Sequence, residues 1–426
     1  MHLVKLFLFL HNLIPTDGGQ GVDNKGLHGY LELIFNSCYN DYRNTIYNVT
    51  VNPAMLVYLN LGLSRKETPD ENYAREVQEL FTVGKRPFSK YTEEDVRGIA
   101  RALVGWNYDY STIFKDGPIT SNFSPWNHDT GDKYFSEFYG NRVIRGREGE
   151  DGAKELEDVL DMIFSKEESA IYLSRRLYQF FVYHDVSESI EENIILPMAQ
   201  IMRENNFSLI DPLKLLFKSE HFYDLDTLPT QDNNMGAIIK SPVEIIIGTM
   251  RLFDVQVPSA TTQLSQHYEL FDQLQTQLDL QGLALFEPVD VAGYDPYFQV
   301  PVYHRYWISA NYLANRYKFA ELLVNGFTSP AGATIQLDVL SVVQGNASTP
   351  SDPDLLVQEI VEWLLPLTID TARLTYFKDS LLLNNNSLNW SAEWAAFQGS
   401  GNDAVVRVQL EKLFIGMMQT PEYQLF

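Results

Sequence analysis

The chain has 426 residues, 45% of them hydrophobic, with 24 Tyr, 25 Phe and 6 Trp. That apolar content can bury the core of one large or two medium domains, and it excludes a disordered chain. The 56 acidic against 32 basic residues give a net charge of −24, which repels phosphate backbones and anionic lipid and argues against nucleic acid as a partner.

At the N-terminus, Leu3 to Leu10 is apolar apart from Lys5. It is too short to span a bilayer, and no small-residue cleavage site follows it. A buried helix is expected there, with upstream neighbours missing from the chain. No later segment reaches transmembrane length. The single cysteine, Cys38, allows no intrachain disulfide and reads as a small buried apolar residue.

Helix signals dominate from there on. Thr68-Pro69-Asp70-Glu71, Ser165-Lys166-Glu167-Glu168 and Ser241-Pro242-Val243-Glu244 read as capping boxes, and Thr92-Glu93-Glu94-Asp95 as a close variant. Apolar residues recur at helical spacing at Val96, Ile99, Ala100, Leu103 and Val104, and again at Leu156, Val159, Leu160 and Ile163. Further helices are expected at 26–38, 53–63, 169–183, 190–205, 243–253, 305–325, 354–365, 370–382 and 403–418. The best strand candidate is a short hairpin at 333–344. Stretches 107–152, 284–304 and 326–353 read as irregular. The expected fold is mostly α: a multi-helix globular bundle with long aromatic-rich loops and at most a short β-hairpin. Its expected organisation is a main domain over 1–325 and a C-terminal helical lobe over 326–426.

The helix opened by Thr68 carries the densest charge. Tyr73, Val77, Leu80 and Phe81 form its buried stripe, with Glu71, Arg75 and Glu79 on the opposite side. Thr68 and Glu71 read as structural cap residues, and Arg75 with Glu79 as a surface ladder. Glu76 lies beside the apolar stripe, where a carboxylate is partly desolvated. Arg97 and Arg101 on the next helix are natural counter-charges. In the irregular region, His128, Asp129 and Asp132 surround Gly131. They read either as a divalent-ion or acid–base cluster, or as a turn in which Asp129 bonds its own backbone and Gly131 takes a positive φ. Trp106, Trp126 and the other aromatics of 106–139 either line a glycan or peptide groove or pack their own loop. No nucleotide, flavin or haem signature is present.

Four segments, NPAMLVYLN, DENYAREVQELFTVG, YTEEDVRGIARALVGW and HDTGDKYF, stand in an order and spacing that closely resembles the bacterial domain-of-unknown-function 1800 family. KSPVEIIIGTMRLF, GLALFEPVDVAGY and QTPEYQ extend the similarity. The resemblance implies a mostly helical, commonly exported protein, periplasmic or at the cell surface. It also implies a sulfatase-like partner family encoded nearby, and no established activity. This chain departs from the family pattern at Leu13, where a histidine is usual two residues after His11, and at Tyr294, where a tryptophan usually follows Gly293.

Two functional readings stay open. In the first, the 71–79 helix, Arg101 and the 128–132 turn close around one hydrolase-like cleft. Glu76 or His128 would be the base there, with Glu79, Asp129 and Asp132 as ligands of a divalent cation and Arg75 or Arg101 as an anion clamp. In the second, the same charges form a structural ion network in a non-catalytic scaffold or binding protein.

Overall fold

The computed structural model describes residues 2–18, 23–223, 238–330, 332, 334–385 and 389–426. Its contacts divide the chain into two compact units, one of residues 1–236 with 286–300, the other of 237–285 with 301–426.

In the first unit the N-terminal apolar run forms helix α1 (His2–Leu13), which buries Leu6, Phe9 and Leu10. Four helices follow, α2 (Asn24–Ser37), α3 (Tyr42–Thr50), α4 (Pro53–Tyr58) and α5 (Asn72–Glu79), and then α6 (Glu93–Leu103). Beyond two short antiparallel ribbons come α7 (Glu155–Phe164) and α8 (Glu167–Phe181). One core unites their apolar stripes: Tyr30 and Ile34, Ile46 and Val49, Tyr73 and Val77, Val96 and Ile99, Leu156 and Leu160, Leu173 and Leu177. Each aliphatic side chain buried this way contributes about 1.5–3 kcal/mol, so the stripes, and not the caps, carry most of the fold.

Three of the four expected caps are rearranged. Thr92 and Asp95 form a complete capping box, with the Asp95 carboxylate also accepting from Ser136 N and Oγ at 2.7 Å each. At Glu244 only half the box exists, the carboxylate accepting from Ser241 N at 2.7 Å. Ser165 spends its hydroxyl on the Met162 carbonyl, and α8 starts from Lys166 without a side-chain cap. Thr68 does not cap α5 and Glu71 does not close a box. A turn pairs Thr68 with Arg65, α5 begins four residues later, and Asp70 Oδ1 accepts from Asn72 N at 2.8 Å instead.

The 107–152 stretch holds two small ribbons, β1 (Trp106–Tyr108) with β2 (Ser121–Phe123) and β3 (Lys133–Tyr134) with β4 (Val143–Ile144). In the second unit, helices Ala310–Asn325, Pro353–Leu364 and Ala404–Met418 bury Phe319, Leu323, Leu356, Ile360, Leu410 and Phe414. The hairpin expected at 333–344 is not formed as such. Thr334 and Ile335 pair back with Thr328 and Phe327, and Val339–Asn346 is helical, capped by Asp338. Residue 333 itself lies outside the described residues. Among the described residues no helix is long and apolar enough to cross a membrane.

Candidate functional site

The charged residues of the expected site fall into two clusters with different states of bonding. The first surrounds the turn before β3. Its centre is Glu155, fully buried at the start of α7. Glu155 Oε2 accepts from Lys133 Nζ at 2.6 Å, and Oε1 accepts from Arg147 N at 2.8 Å. His128 Nε2 lies 3.0 Å from the same Oε1. The other ring nitrogen, Nδ1, donates to the Val104 carbonyl at 2.7 Å, since a carbonyl can only accept. Both nitrogens of His128 are therefore engaged, and the ring is buried.

Asp129 is held from both sides. Arg101 clamps it through Nε at 2.7 Å and Nη2 at 3.0 Å, while Gly131 N donates to Oδ1 at 2.8 Å. Burial alone would raise this carboxyl; Arg101, the Gly131 amide and Lys133 outweigh burial and hold it below the usual range. The local turn is thus the Asx turn the sequence allowed. Gly131, however, is not among the positive-φ residues. A Cβ there would stand 2.7 Å from Arg101 Nη2, so a larger residue would have to displace the guanidinium that clamps Asp129. Asp132 is bonded to Arg145 and accepts from Gly146 N at 3.0 Å. With these oxygens occupied by guanidinium and amide donors, the turn does not fit a divalent cation, and among the described residues no group of three or more His, Cys, Asp or Glu side chains could hold one.

The second cluster lies on α5. Arg75 does not form a ladder with Glu79. It forks onto Glu93 at 2.8 Å through both Nη atoms and reaches Glu71 at 3.2 Å, where Arg97 also approaches at 3.6 Å. Glu79 is taken instead by Lys85 at 3.0 Å and by the Tyr91 hydroxyl at 2.9 Å. Glu76 is left between them, half-buried, and among the described residues no hydrogen bond or ion pair reaches its carboxylate. Burial first, then the charge of Glu79, pushes its pKa up to about 7, against the weaker opposing pull of Lys85 and Arg75.

A long-range partner completes this cluster. Asp290 adds its charge to Glu76 and also to Tyr58 at the end of α4; burial first, then Asp17, Asp290 and Glu76 push that phenol up to about 12. Asp290 sits on a tight turn closed by its own side chain, which accepts from Ala292 N at 3.0 Å. The turn is seated against α1: Tyr294 N donates to Asn12 Oδ1 at 3.0 Å, and Gly293, at φ +101°, has Asn12 O only 2.3 Å from where a Cβ would stand. Next to Asn12, His11 is buried against the rings of Phe286 and Tyr294, with neither ring nitrogen hydrogen-bonded. Burial pushes its pKa down to about 3.

The ring nitrogens of His128 meet Val104 O and Glu155 Oε1, and neither is bonded to Glu76. The groups acting most strongly on Glu76 are Glu79, Lys85, Arg75 and Asp290, none of them bonded to His128. Arg101 belongs with Asp129, and Trp126 stands in a separate cleft. Trp106 packs edge-on against Phe123, its ring centroid 5.4 Å away. Sequence reasoning missed Glu155, Lys133, Asp290 and Tyr58. Glu155 carried a signal: it stands at i, i+4 and i+8 with Val159 and Ile163, on the apolar face of α7.

No curated protein and no solved structure matches the chain. The profile of the DUF1800 family, described as a protein of unknown function, matches residues 3–425. The order of NPAMLVYLN, DENYAREVQELFTVG and HDTGDKYF and this end-to-end match agree, and the chain belongs to the DUF1800 family.

Proposed function

We propose that Glu76 is the acid–base residue of a hydrolase-like cleft in the first unit, bounded by α5, Tyr58 and the Asp290 turn. The observation that carries this reading is the state of the Glu76 carboxylate. It is half-buried and unbonded, next to a Glu79 whose own oxygens are satisfied by Lys85 and Tyr91. A carboxyl that exchanges its proton near neutrality can take a proton from an attacking water and return it to a leaving group. Glu79, fixed by two donors, would keep a neighbouring negative charge that holds Glu76 basic. The reading uses no metal ion.

The test has two parts. Site-resolved ¹³C NMR titration should find the Glu76 carboxyl titrating near neutrality; a midpoint near 4.5, its ordinary value, would sink the proposal. A panel of chromogenic glycosides, esters and peptides should then give a hydrolysis that Glu76→Gln abolishes while His128→Gln, once shown to be folded, retains it.

A second reading has its own support. The Arg101–Asp129–Lys133–Glu155–His128 cluster has every charge answered by a bonded partner, as in an ion network that fixes packing and does no chemistry. Under this reading the protein is a scaffold or binding protein, and the hydrolysis panel gives nothing that Glu76→Gln changes.

A further inference from the structure

A cleft of about 400 Å³ opens beside the β1–β2 ribbon; Phe123, in its lining, packs against the His128 ring at 5.2 Å. Its volume falls in the range of small-ligand sites, about 300–1,000 Å³. Its lining combines an open indole, the amides of Asn107, Asn122 and Asn127, and a guanidinium, with no carboxylate.

Trp126 is 74% exposed. Its backbone is nevertheless held firmly. Lys66 Nζ donates to the Trp126 carbonyl at 2.8 Å. The buried Asn127 donates through Nδ2 to Ser64 O at 3.0 Å and accepts from Lys66 N at 3.4 Å. The turn is therefore fixed and the ring is the part left outside. An indole presented in this way leaves apolar surface in water with nothing within the fold to cover it.

Asn127 is spent on the turn, but the rest of the polar lining keeps bonding capacity. Asn107 and Asn122 face each other across the ribbon. Asn107 Oδ1 accepts from Tyr108 N at 2.8 Å, which leaves its amide N–H₂ without a bond. The Asn122 side chain is exposed and makes no hydrogen bond among the described residues. Among the described residues the Arg65 side chain reaches only the Ser64 carbonyl, at 3.4 Å, and pairs with no carboxylate. In a chain of net charge −24, an unpaired guanidinium beside two free amides is an available donor set.

We infer that this cleft binds a pyranose ring of a glycan, laid on Trp126 with its hydroxyls bonded by Asn107, Asn122 and Arg65. A sugar ring has an apolar C–H face and a rim of hydroxyls, which matches a flat aromatic surface edged by amides. The competing occupants fit less well. A nucleobase would bring a phosphate backbone to a strongly acidic protein. An apolar helix would need a continuous apolar groove, and the amide edge does not offer one. The lining accepts a neutral sugar or a uronate, whose carboxylate would go to Arg65.

Affinity electrophoresis of the full chain tests the inference, in gels containing xylan, glucomannan or hydroxyethyl cellulose as neutral polymers and polygalacturonate or alginate as uronates. Retardation by at least one polymer is expected, with Trp126→Ala reducing it at least tenfold. Trp126 is exposed, so the variant should fold; circular dichroism checks this, and Asn122→Ala gives an independent second variant expected to weaken retention. Loss of retention on uronate gels alone in Arg65→Gln assigns an acidic sugar; unchanged retention in that variant assigns a neutral one. No retardation by any polymer, or retardation that Trp126→Ala leaves intact, overturns the inference. Neither result bears on Glu76.

Discussion

Glu155 and Glu76 are both glutamates on helices of the same unit, and they are in opposite states. Glu155 is fully buried and accepts from Lys133 and Arg147 N, with His128 against it. Glu76 is only half-buried, yet among the described residues no donor reaches it, and Lys85 and Tyr91 bond Glu79 one turn on. Burial alone therefore does not mark a reactive carboxylate. What separates the two is whether the desolvation is compensated by bonds.

The sharpest way to break the comparison is to remove the compensation. Glu155→Ala leaves Lys133 charged and buried without its counter-ion, and the expected loss is about 3–5 kcal/mol in chemical denaturation. A loss below about 1 kcal/mol would mean that the network is not what orders the β3 turn.

His11 tests the other extreme, a buried polar group with no bonds. Its pKa is pushed down to about 3 from 6.5, so between those values the unfolded chain binds the extra proton and stability falls as pH falls. His11→Phe removes this, and at pH 5 the variant should gain about 2 kcal/mol relative to its own difference from wild type at pH 8. Parallel stability–pH curves for the two proteins would contradict the assignment.

Arg101→Met is next in size. Asp129 is held below its ordinary 3.8, so it contributes stability above that pH, which is lost as pH falls through the depressed value. The variant should lose about 1–2 kcal/mol at pH 7, a modest figure because the pair is partly exposed, and its acid limb should flatten. Sensitivity to salt would show how much of the pair is screened.

The smallest stability effect is expected at Glu76. Its folded pKa is raised from 4.5 to about 7, so the folded state binds the extra proton and wild type loses stability as pH rises across that window. Glu76→Gln should abolish that slope and gain about 1 kcal/mol at pH 8, after discounting for the group's partial exposure. Stabilisation together with lost hydrolysis would be the signature of a functional carboxylate; destabilisation would place Glu76 in the same class as Glu155.

Much of the fold was legible because helical stripes are local. Tyr73, Val77 and Phe81 are buried as the spacing required, and the Thr92 box formed. Leu264–Leu280 was not anticipated, since only Leu270, Leu274 and Leu278 are buried in a glutamine-rich run and so narrow a stripe barely registers. The position of Glu76 at the edge of its stripe was legible too. Its surroundings were not: Asp290 is more than 200 residues away in sequence, and no local pattern announces that a distant turn will add a third negative charge. Thr68 misled for the opposite reason. Its pattern was correct for a cap, but the Arg65–Thr68 turn consumed it before the helix began.

The first unit is discontinuous, its last piece being residues 286–300. Residues 237–285 of the other unit are synthesised before that piece. A nascent chain that has reached residue 236 thus already contains Glu76, Glu79 and Tyr58 but lacks Asp290, Gly293 and Tyr294. Until the ribosome passes residue 300, Asn12 has no Tyr294 amide to accept from and His11 lacks Phe286 and Tyr294 as its aromatic cover. Co-translational folding of this unit therefore has to end in two stages, with the aromatic cover of His11 and the Asn12 bond completed only in the second. For the same reason, no single cut in the chain releases the first unit whole.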